Sequence, residues 1–389
     1  MKYNFDEIIN RRNTDSIKWN RTDDWPTGKD VLPLSVADMD FKSPPEIIQS
    51  IKERAEHGVF GYASPSDSYY ESVINWVRNR HDWKIRRDWI SYTSGVIPAL
   101  NIAIAAFTNP GDSIVVQSPV YPPFFSIVNN NDRKLIINKL AAHEGRYYID
   151  FDNLEKQLSD GAKMMLLCSP HNPVGRVWSY EELKLITDLC LKNNVLLVSD
   201  EIHSDIVYSP IKHIPLGSFS EELANNSITC ISPSKTFNIP GIGMSTAIIP
   251  NKELYDKFST TLTKLITSGM NNIFGPLASE IAYRYGADWL DELLIYLEEN
   301  SKLLDKYFKE NIPKIKYSKP QGTYLAWLDC RNLGIEYKDL RDFVFTNAKI
   351  ELQDGIHFGS GGEGYLRLNF ASPKQIIIEA LERLKSALS

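Results

Sequence analysis

The sequence predicts an α/β protein that has a large domain with a mostly parallel central sheet, followed by a smaller α+β domain. Three observations support this fold class. Short apolar runs typical of buried strands alternate with helical patterns over most of the chain. Polar residues follow the ends of several of these runs, which is where an open parallel sheet binds its ligands. From about Pro276 the alternation gives way to a long helical stretch and a shorter mix of strands and helices.

The composition is that of an ordinary globular protein. The 389 residues are 43% hydrophobic and 24% charged, and the net charge is -6. The charges are mixed along the chain and no basic helix stands out, so we expect neither nucleic acid nor a membrane surface as a partner. No apolar run approaches the ~18 residues that a membrane span needs. Because the N-terminus lacks the apolar core of a signal peptide, we expect a cytoplasmic protein.

The cysteines and histidines predict no metal site. The four cysteines are scattered, without a C-x-x-C pair, which favours buried and reduced thiols over disulfides or zinc ligands. None of the seven histidines has a ligand spacing such as H-E-x-x-H.

Three segments are expected along the chain. Residues 1–45 form an irregular N-terminal arm, whose Trp19 and Trp25 would gain by burial against the small domain or a partner subunit. Residues 46–283 form the large domain. Residues 284–389 form the small domain, which begins with a long helix that links the two domains.

Periodicity and turn residues predict the individual elements. Strands are expected over 89–94, 113–117, 134–140, 163–168, 195–199, 227–231, 244–249 and, in the small domain, 322–328. Helices are expected over 46–57, 68–81, 96–107, 154–158 and 338–348, with a long helical stretch from about 276 to 311 that has one break. Ser179 and Glu182 predict the capping box of a further helix.

One lysine stands out because of the segment that holds it. Lys235 follows the apolar run 227–231 and lies beside Ser232 and Ser234, whose hydroxyls can bind a phosphate. A free lysine has a pKa of about 10.4 and is protonated at neutral pH. Desolvation or a nearby cation lowers that pKa and lets the amine form a Schiff base with a carbonyl. The segment therefore fits covalently held pyridoxal 5′-phosphate (PLP), although alone it also fits a surface lysine in a polar loop.

A second candidate for phosphate binding is the turn Thr93-Ser94-Gly95, which lies between a predicted strand and an apolar helix. Backbone N–H groups at the start of a helix bind anions, helped by the helix dipole. The alternative is a helix with an ordinary cap.

Four polar residues follow the ends of different predicted strands: Tyr121, Asn172, Asp200 and Lys235. In an open and mostly parallel sheet those ends meet at one edge, so we expect the four side chains to line one cleft. Each residue also has a structural alternative, since Tyr121 could belong to the core, Asn172 could serve its turn and Asp200 could cap a helix.

Arg367 alternates with apolar residues on a predicted strand of the small domain. An arginine on a buried strand is rare unless it is paired, and its planar guanidinium suits a carboxylate. The sequence therefore predicts a carboxylate-binding residue, with a structural ion pair as the alternative. The glycines of 359–364 precede no G-K-[ST] sequence and are typical of a flexible loop rather than a phosphate loop.

Together these residues resemble the fold-type I PLP-dependent enzymes, the aspartate aminotransferase superfamily. The resemblance covers nearly the whole chain and rests on the order of the motifs: Ser94-Gly95, Tyr121, Asn172-Pro173-x-Gly175, Asp200, Ser232-x-Ser234-Lys235 and Arg367. More narrowly, four segments resemble the MalY/PatB group of cystathionine β-lyases or C–S lyases: 36–41, 200–205, 234–238 and 365–371. The resemblance implies PLP as cofactor, fold type I and a homodimer with its active sites at the subunit interface.

The resemblance also implies a role for each site residue. Lys235 holds the cofactor and moves protons at Cα of the substrate, and Asp200 keeps the ring nitrogen of the cofactor protonated. Tyr121 stacks on the ring, Asn172 binds its hydroxyl, and Arg367 takes the α-carboxylate of the substrate. The remaining candidates bind the phosphate or the substrate: Gly95, Val96, Ile97, Ser232, Ser234, Tyr62 of the partner subunit, and Ala37. The catalytic candidates are Lys235, Tyr121 and Tyr62.

Two positions depart from the wider superfamily. Aminotransferases usually place a tyrosine three residues after the ring aspartate and an arginine eight residues after the lysine, where this chain has His203 and Gly243. Both changes alter the charge around the cofactor and fit the lyase group better than the transaminases. His203 is counted among the cofactor-binding candidates.

The main functional hypothesis is β-elimination from an S-substituted cysteine such as L-cystathionine, which gives pyruvate, ammonia and a thiol. An aminotransferase is the second hypothesis, because a fold does not determine a function. A PLP-binding regulatory protein is the third.

Overall fold

The computed structural model describes residues 2–20, 30–265 and 272–389. Trp25 of the predicted arm lies outside the described residues. Within those three ranges, no helix combines the length and the apolar character that crossing a membrane requires.

Most helices of the described residues lie close to their predicted positions. They are α1 (Ile17–Asn20), α2 (Pro45–Glu56), α3 (Asp67–His81), α4 (Val96–Phe107), α5 (Pro123–Asn129), α6 (Phe151–Ser159), α7 (Tyr180–Lys192), α8 (Glu221–Ala224), α9 (Pro233–Thr236), α10 (Lys252–Leu265), α11 (Phe274–Tyr285), α12 (Ala287–Asn311), α13 (Tyr337–Phe343) and α14 (Lys374–Leu388). The predicted capping box of Ser179 and Glu182 begins α7. The predicted break lies at Gly286, where a Cβ atom would come within 2.4 Å of the Phe237 ring.

The strands of the described residues form one large and one smaller sheet and two short pairs. They are β1 (Leu32–Pro33), β2 (Ile90–Thr93), β3 (Ser113–Ser118), β4 (Lys134–Lys139), β5 (Ala141–His143), β6 (Arg146–Tyr148), β7 (Met164–Cys168), β8 (Leu196–Asp200), β9 (Ser227–Ile231), β10 (Ser245–Ile248), β11 (Lys316–Tyr317), β12 (Leu325–Asp329), β13 (Ile350–Glu351), β14 (Gln353–Asp354) and β15 (Tyr365–Asn369). The large sheet has the order β2-β10-β9-β8-β7-β3-β4. All neighbours from β9 to β4 are parallel, and β10 is antiparallel to both of its neighbours. The predicted mostly parallel sheet is confirmed.

The central strands are mostly apolar because helices cover both faces of the sheet. Every residue of β7 and β8 is buried. Side chains from α4, α5 and α10 pack on one face, and side chains from α6 and α7 pack on the other. All four cysteines are buried and unpaired, as expected.

The smaller sheet has the order β11-β12-β15-β14 and is antiparallel throughout. The predicted strand over 322–328 begins only at Leu325, because Gly322 turns to bond the carbonyl of Gly175. The predicted helix over 338–348 is α13 followed by a π-helical turn, Val344–Ala348.

The N-terminal arm pairs with this second region, since β1 is parallel to β13 and aligns Leu32 with Ile350. The large sheet lies within residues 90–248 and the smaller one within 316–369. These ranges support the division into 1–45, 46–283 and 284–389, which we keep as a proposal.

Candidate active site

The predicted cleft lies at the carboxyl edge of the large sheet. Tyr121, Asn172 and Lys235 follow β3, β7 and β9, while Asp200 is the last residue of β8. These four strands are neighbours and run parallel, so their ends lie side by side. A cavity of about 310 Å³ lies at this edge, and all four residues line it.

Most of the other predicted site residues line the same cavity. They are Ala37, Gly95, Val96, Ile97, His203, Ser234 and Arg367. The structure does not bring Ser232 or Tyr62 to the cavity. The Ser232 hydroxyl caps α9 by accepting the Ser234 N–H and bonds the Met244 carbonyl at 2.7 Å. Tyr62 is 94% exposed, so its contact with the site of a partner subunit stays a prediction.

Lys235 lies on the short helix α9, which Ser232 caps and Pro233 begins. Its Nζ donates a hydrogen bond to the Ala37 carbonyl at 2.7 Å. Burial lowers the pKa of the amine to about 8. The charge of Arg367 also lowers this pKa, whereas the carboxylates of Asp38 and Asp200 raise it. A larger fraction of the amine is therefore neutral, and able to attack a carbonyl, than in a free lysine.

Asp200 carries a carboxylate that is buried at the sheet edge. Its Oδ1 accepts the backbone N–H of Ile202 at 3.0 Å. Burial raises the pKa of Asp200 to about 7, and the neighbouring Glu201 raises it further, while Ile202 and Lys235 act in the opposite direction. Such a group gains from a cation placed in the cavity, because the cation restores its ionised form.

Arg367 lies on β15 and is 2% exposed. Its Nη1 donates to Asn172 Oδ1 at 3.0 Å, and its Nη2 donates to the Ser35 carbonyl at 2.7 Å. The Nε atom is buried without a hydrogen-bond partner, and no carboxylate of the described residues forms an ion pair with Arg367. Burial lowers its pKa to about 10. The guanidinium therefore suits a carboxylate brought by a ligand better than a structural ion pair.

The start of α4 forms the predicted anion site. Gly95 precedes the helix without a side-chain cap, so the first amides of α4 remain available at the cavity wall. Gly243 lines the same wall with φ +65°, and a Cβ atom there would lie 3.3 Å from the Ser94 carbonyl. A side chain at position 243 would be strained in this backbone. The groups that the structure places at this wall for an anion are the amides at the start of α4 and Ser234.

His203 is buried in the wall of the cavity. Its ring makes an edge contact with the ring of Tyr324, and the two ring centroids lie 5.8 Å apart. Its Nδ1 is buried and has no hydrogen-bond partner. Burial lowers the pKa of His203 to about 3, and the charges of Lys235 and Arg367 lower it further. His203 can therefore offer a hydrogen bond to a ligand but stays neutral.

Sequence reasoning missed several residues at or near the cavity. Tyr324 does not line the cavity itself, but it is buried, and its hydroxyl donates to the carbonyl of the lining residue Ala37 at 2.9 Å. Gln353 and Cys168 line the cavity, and Gln353 Oε1 lies 3.4 Å from Arg367 Nη2. The one signal in the sequence was weak: polar side chains interrupt otherwise apolar segments of the small domain.

These residues fit PLP. The cavity offers an amine with a lowered pKa, a buried carboxylate that forms no ion pair with a cation of the described residues, and the uncapped start of a helix. Two buried nitrogen atoms, Arg367 Nε and His203 Nδ1, lack partners and line the same space. A carbonyl, a ring nitrogen, a phosphate and a substrate carboxylate would complement this set.

Known proteins share the whole architecture. The aminotransferase class I and II family matches residues 29–384. Cystathionine β-lyase PatB from Bacillus subtilis is 43% identical over 387 residues, which cover 99% of this chain and 100% of PatB. A PLP-bound structure from Clostridium difficile, which carries the provisional name of an aminotransferase, is 45% identical, covers 100% of both chains and has a TM-score of 0.96. Cystalysin from Treponema denticola, which contains PLP, is 42% identical, covers 100% of this chain and 99% of its own, and also has a TM-score of 0.96.

These similarities extend over nearly the full chain and agree with the order of the strands and motifs. They confirm the predicted fold type and the predicted cofactor. The chain belongs to the class I and II aminotransferase family, in the group that includes PatB, and its cofactor is PLP.

Proposed function

We propose that this protein cleaves the carbon–sulfur bond on the β-carbon of L-cystathionine or of related S-substituted cysteines. The full-length relationship to PatB confirms the predicted enzyme class, a PLP-dependent C–S β-lyase. The observation that carries the substrate proposal is the pairing of two cations in one cavity. Lys235 and Arg367 both line it, and neither forms an ion pair with a carboxylate of the described residues.

Arg367 as a cation and Lys235 as a neutral amine divide the work on an amino-acid substrate. Arg367 binds the α-carboxylate through its fork of N–H groups, which orients Cα towards Lys235. The amine of Lys235 takes the proton from Cα. When bound, PLP supplies the carbonyl that joins the substrate amine and a ring that accepts the electrons of the broken Cα–H bond. Asp200 holds a proton at the ring nitrogen, which favours that transfer.

In the elimination, the bond between Cβ and sulfur breaks and its electron pair leaves with the sulfur. The sulfur gains a proton and is released as a thiol. The remaining three-carbon fragment takes up one water molecule and leaves as pyruvate and ammonia. With L-cystathionine the thiol is homocysteine. Gly243 leaves one positive charge fewer near the phosphate than the arginine of the aminotransferase pattern, whereas the neutral His203 carries no more charge than the tyrosine of that pattern.

The test is an assay of the PLP-loaded protein with L-cystathionine in which pyruvate and free thiol are measured together. We expect the two products in equal amounts without an added 2-oxo acid. An aminotransferase would instead convert the cofactor to its amine form and release a 2-oxo acid that still carries the sulfur. That result would replace the lyase with the second hypothesis, which the name of the Clostridium difficile relative favours.

We also propose a homodimer that works in the cytoplasm. The loop that carries Tyr62 exposes Val59 and Phe60 by 63% and 60%, and such an apolar surface is typical of an interface. Buried unpaired thiols are usual in a reducing compartment. Mixing inactive Tyr62→Ala and Lys235→Ala proteins tests the shared site, because a mixed dimer has one intact site if Tyr62 serves the partner. Absence of regained activity in a verified mixed dimer would contradict the shared site.

A further inference from the structure

Residues 34–41 of the N-terminal arm, which we call the strap, form one wall of the cavity through Val36 and Ala37. Two carbonyls of the strap hold the two cations of the active site. The Ser35 carbonyl accepts a hydrogen bond from Arg367 Nη2 at 2.7 Å, and the Ala37 carbonyl accepts one from Lys235 Nζ at 2.7 Å. The position of the strap therefore sets the position of both groups that face the substrate.

Two asparagines stabilise the strap through hydrogen bonds to its carbonyls. Asn369 Nδ2 donates to the carbonyls of Val36 and Asp38 at 2.7 and 2.6 Å. Asn238, three residues after Lys235, donates to the carbonyls of Met39 and Phe41 at 3.0 and 2.8 Å. Both asparagines belong to segments that resemble the lyase group, but the proposed reaction does not use them.

A cluster of ion pairs stabilises the strap through the side chains of Asp38 and Asp40. Lys18 Nζ lies 2.7 Å from Asp40 Oδ2, and Arg11 lies 2.6 Å from Asp38 and 2.8 Å from Asp40. Trp19 Nε1 also donates to Asp40 at 2.9 Å. Burial by itself raises the pKa of Asp40, but Lys18, Trp19 and Arg11 outweigh it, so the pKa is lowered and the carboxylate stays ionised.

The pair of Lys18 and Asp40 is buried to an unusual degree, with 0% and 3% exposure. The side chains of Arg11 and Asp38 are 21% and 18% exposed. Buried ion pairs contribute little net stability compared with apolar side chains of similar size, because both charges lose their hydration. Their best-attested benefit is to hold a chain segment in one register. A cluster of this kind on the strap is better explained by accurate placement of Ser35 and Ala37 than by stability.

We propose that Lys18 and Arg11 are positioning residues of the active site. Their ion pairs hold Asp38 and Asp40 in place, and these two carboxylates hold the strap. The carbonyls of the strap in turn position the amine of Lys235 and the guanidinium of Arg367. Neither Lys18 nor Arg11 lines the cavity or touches the reacting atoms. The inference rests on the proposed function for the identity of the substrate, but its geometry requires only an amino acid and PLP.

The experiment compares Lys18→Met and Arg11→Gln with the control Lys42→Met. Lys42 follows the strap directly and pairs with Glu7, but its side chain is 60% exposed. The first readout is the rate at which aminooxyacetate displaces Lys235 from PLP, followed by absorbance, since this probe carries both a carboxylate and a reactive amine. The second is kcat/KM with L-cystathionine, and the third is the PLP content of each protein.

We expect all three variants to retain PLP. Lys18→Met should slow displacement by about 100-fold, which is the loss expected for a misplacement of about 1 Å. Arg11→Gln should slow it by about 10-fold, because Lys18 stays on Asp40, while Lys42→Met should stay within about twofold of the parent. The kcat/KM values should follow the displacement rates.

Loaded variants that react with aminooxyacetate at the parent rate would overturn the proposal, as would an equal loss in Lys42→Met. If Lys18→Met does not fold, Arg11→Gln decides the matter, because it leaves the buried pair of Lys18 and Asp40 intact. A failure of the proposed function is distinguishable, since the parent protein would then react with aminooxyacetate but would not cleave L-cystathionine.

Discussion

Among the described residues, Lys18 and Lys235 both place their amines away from solvent, and their surroundings differ. Lys18 lies under the strap with two carboxylates beside it, 2.7 Å from Asp40 and 3.7 Å from Asp38. Lys235 lies in the cavity, where its nearest acceptor is the neutral carbonyl of Ala37. Lys18 thus forms ion pairs with carboxylates, whereas Lys235 has no carboxylate of the described residues within ion-pair distance.

The difference separates a structural from a chemical use of lysine. A buried amine with carboxylate partners holds its neighbours in place through its ion pairs. A buried amine without them loses its proton more easily, and the pKa of Lys235 is lowered to about 8. Arg367 belongs with Lys235 in this comparison, since its guanidinium is buried beside carbonyl and amide oxygens and its pKa is lowered to about 10.

The largest expected effect is on turnover. Lys235→Ala should lower pyruvate formation from L-cystathionine by at least about 10³-fold, because the group that moves the proton at Cα is lost. Lys252→Ala is the matched control, since that side chain is 84% exposed and pairs only with Asp256 among the described residues. Retained turnover in Lys235→Ala would assign the proton transfer to another residue.

The same substitution at the two lysines should change stability in different directions. In the PLP-free protein, Lys18→Met should lower the free energy of unfolding by about 3 kcal/mol, because Asp38 and Asp40 lose a buried partner. Lys235→Met should leave it unchanged or raise it, since the amine has no carboxylate to lose. Urea unfolding followed by tryptophan fluorescence measures both. Equal losses in the two variants would remove the distinction between the lysines.

Arg367→Lys tests the carboxylate site while it preserves the charge. The variant should lower kcat/KM for L-cystathionine by about 10-fold to 100-fold, mainly through KM, because a lysine cannot form the bidentate fork. Steady-state kinetics on the PLP-loaded protein give both constants. If KM were unchanged, the substrate carboxylate would have to bind elsewhere.

The smallest effect is a pH dependence. The rate at which the PLP-free protein takes up PLP should rise about tenfold per pH unit below pH 8 and level off near the lowered pKa of about 8. The folded protein favours the neutral amine, which lowers the pKa of Lys235 from 10.5 to about 8. A protonated Lys235 therefore destabilises the folded protein fully below about pH 8, and this penalty disappears as the pH rises towards 10.5. A rate that kept rising to about pH 10 would show an ordinary lysine.

The sequence predicted one side of the cavity much better than the other. Tyr121, Asn172, Asp200 and Lys235 could be found because each follows a strand, and the ends of parallel strands must meet. On the strap only Ala37 was expected at the site, and only through the family resemblance. The contacts of the strap could not be predicted, because they join residues far apart in the chain: Ser35 with Arg367, and Ala37 with Lys235. No periodicity encodes such contacts.

Two further predictions stayed open for physical reasons. Ser232 was expected at the phosphate because it precedes Lys235. A serine before a short helix also serves as its cap, as Ser232 does here, and this cap does not test a contact with a phosphate. Tyr62 was assigned through a partner subunit, and the exposed side chain of one chain does not test that assignment.

The most direct test of the account is to identify both products that the PLP-loaded protein forms from L-cystathionine. This substrate has two different carbon–sulfur bonds, so the products report which one breaks. Cleavage on the β-carbon predicts homocysteine and pyruvate in equal amounts, detected together by mass spectrometry. Cysteine with 2-oxobutanoate, or a 2-oxo acid that retains the sulfur, would contradict the account.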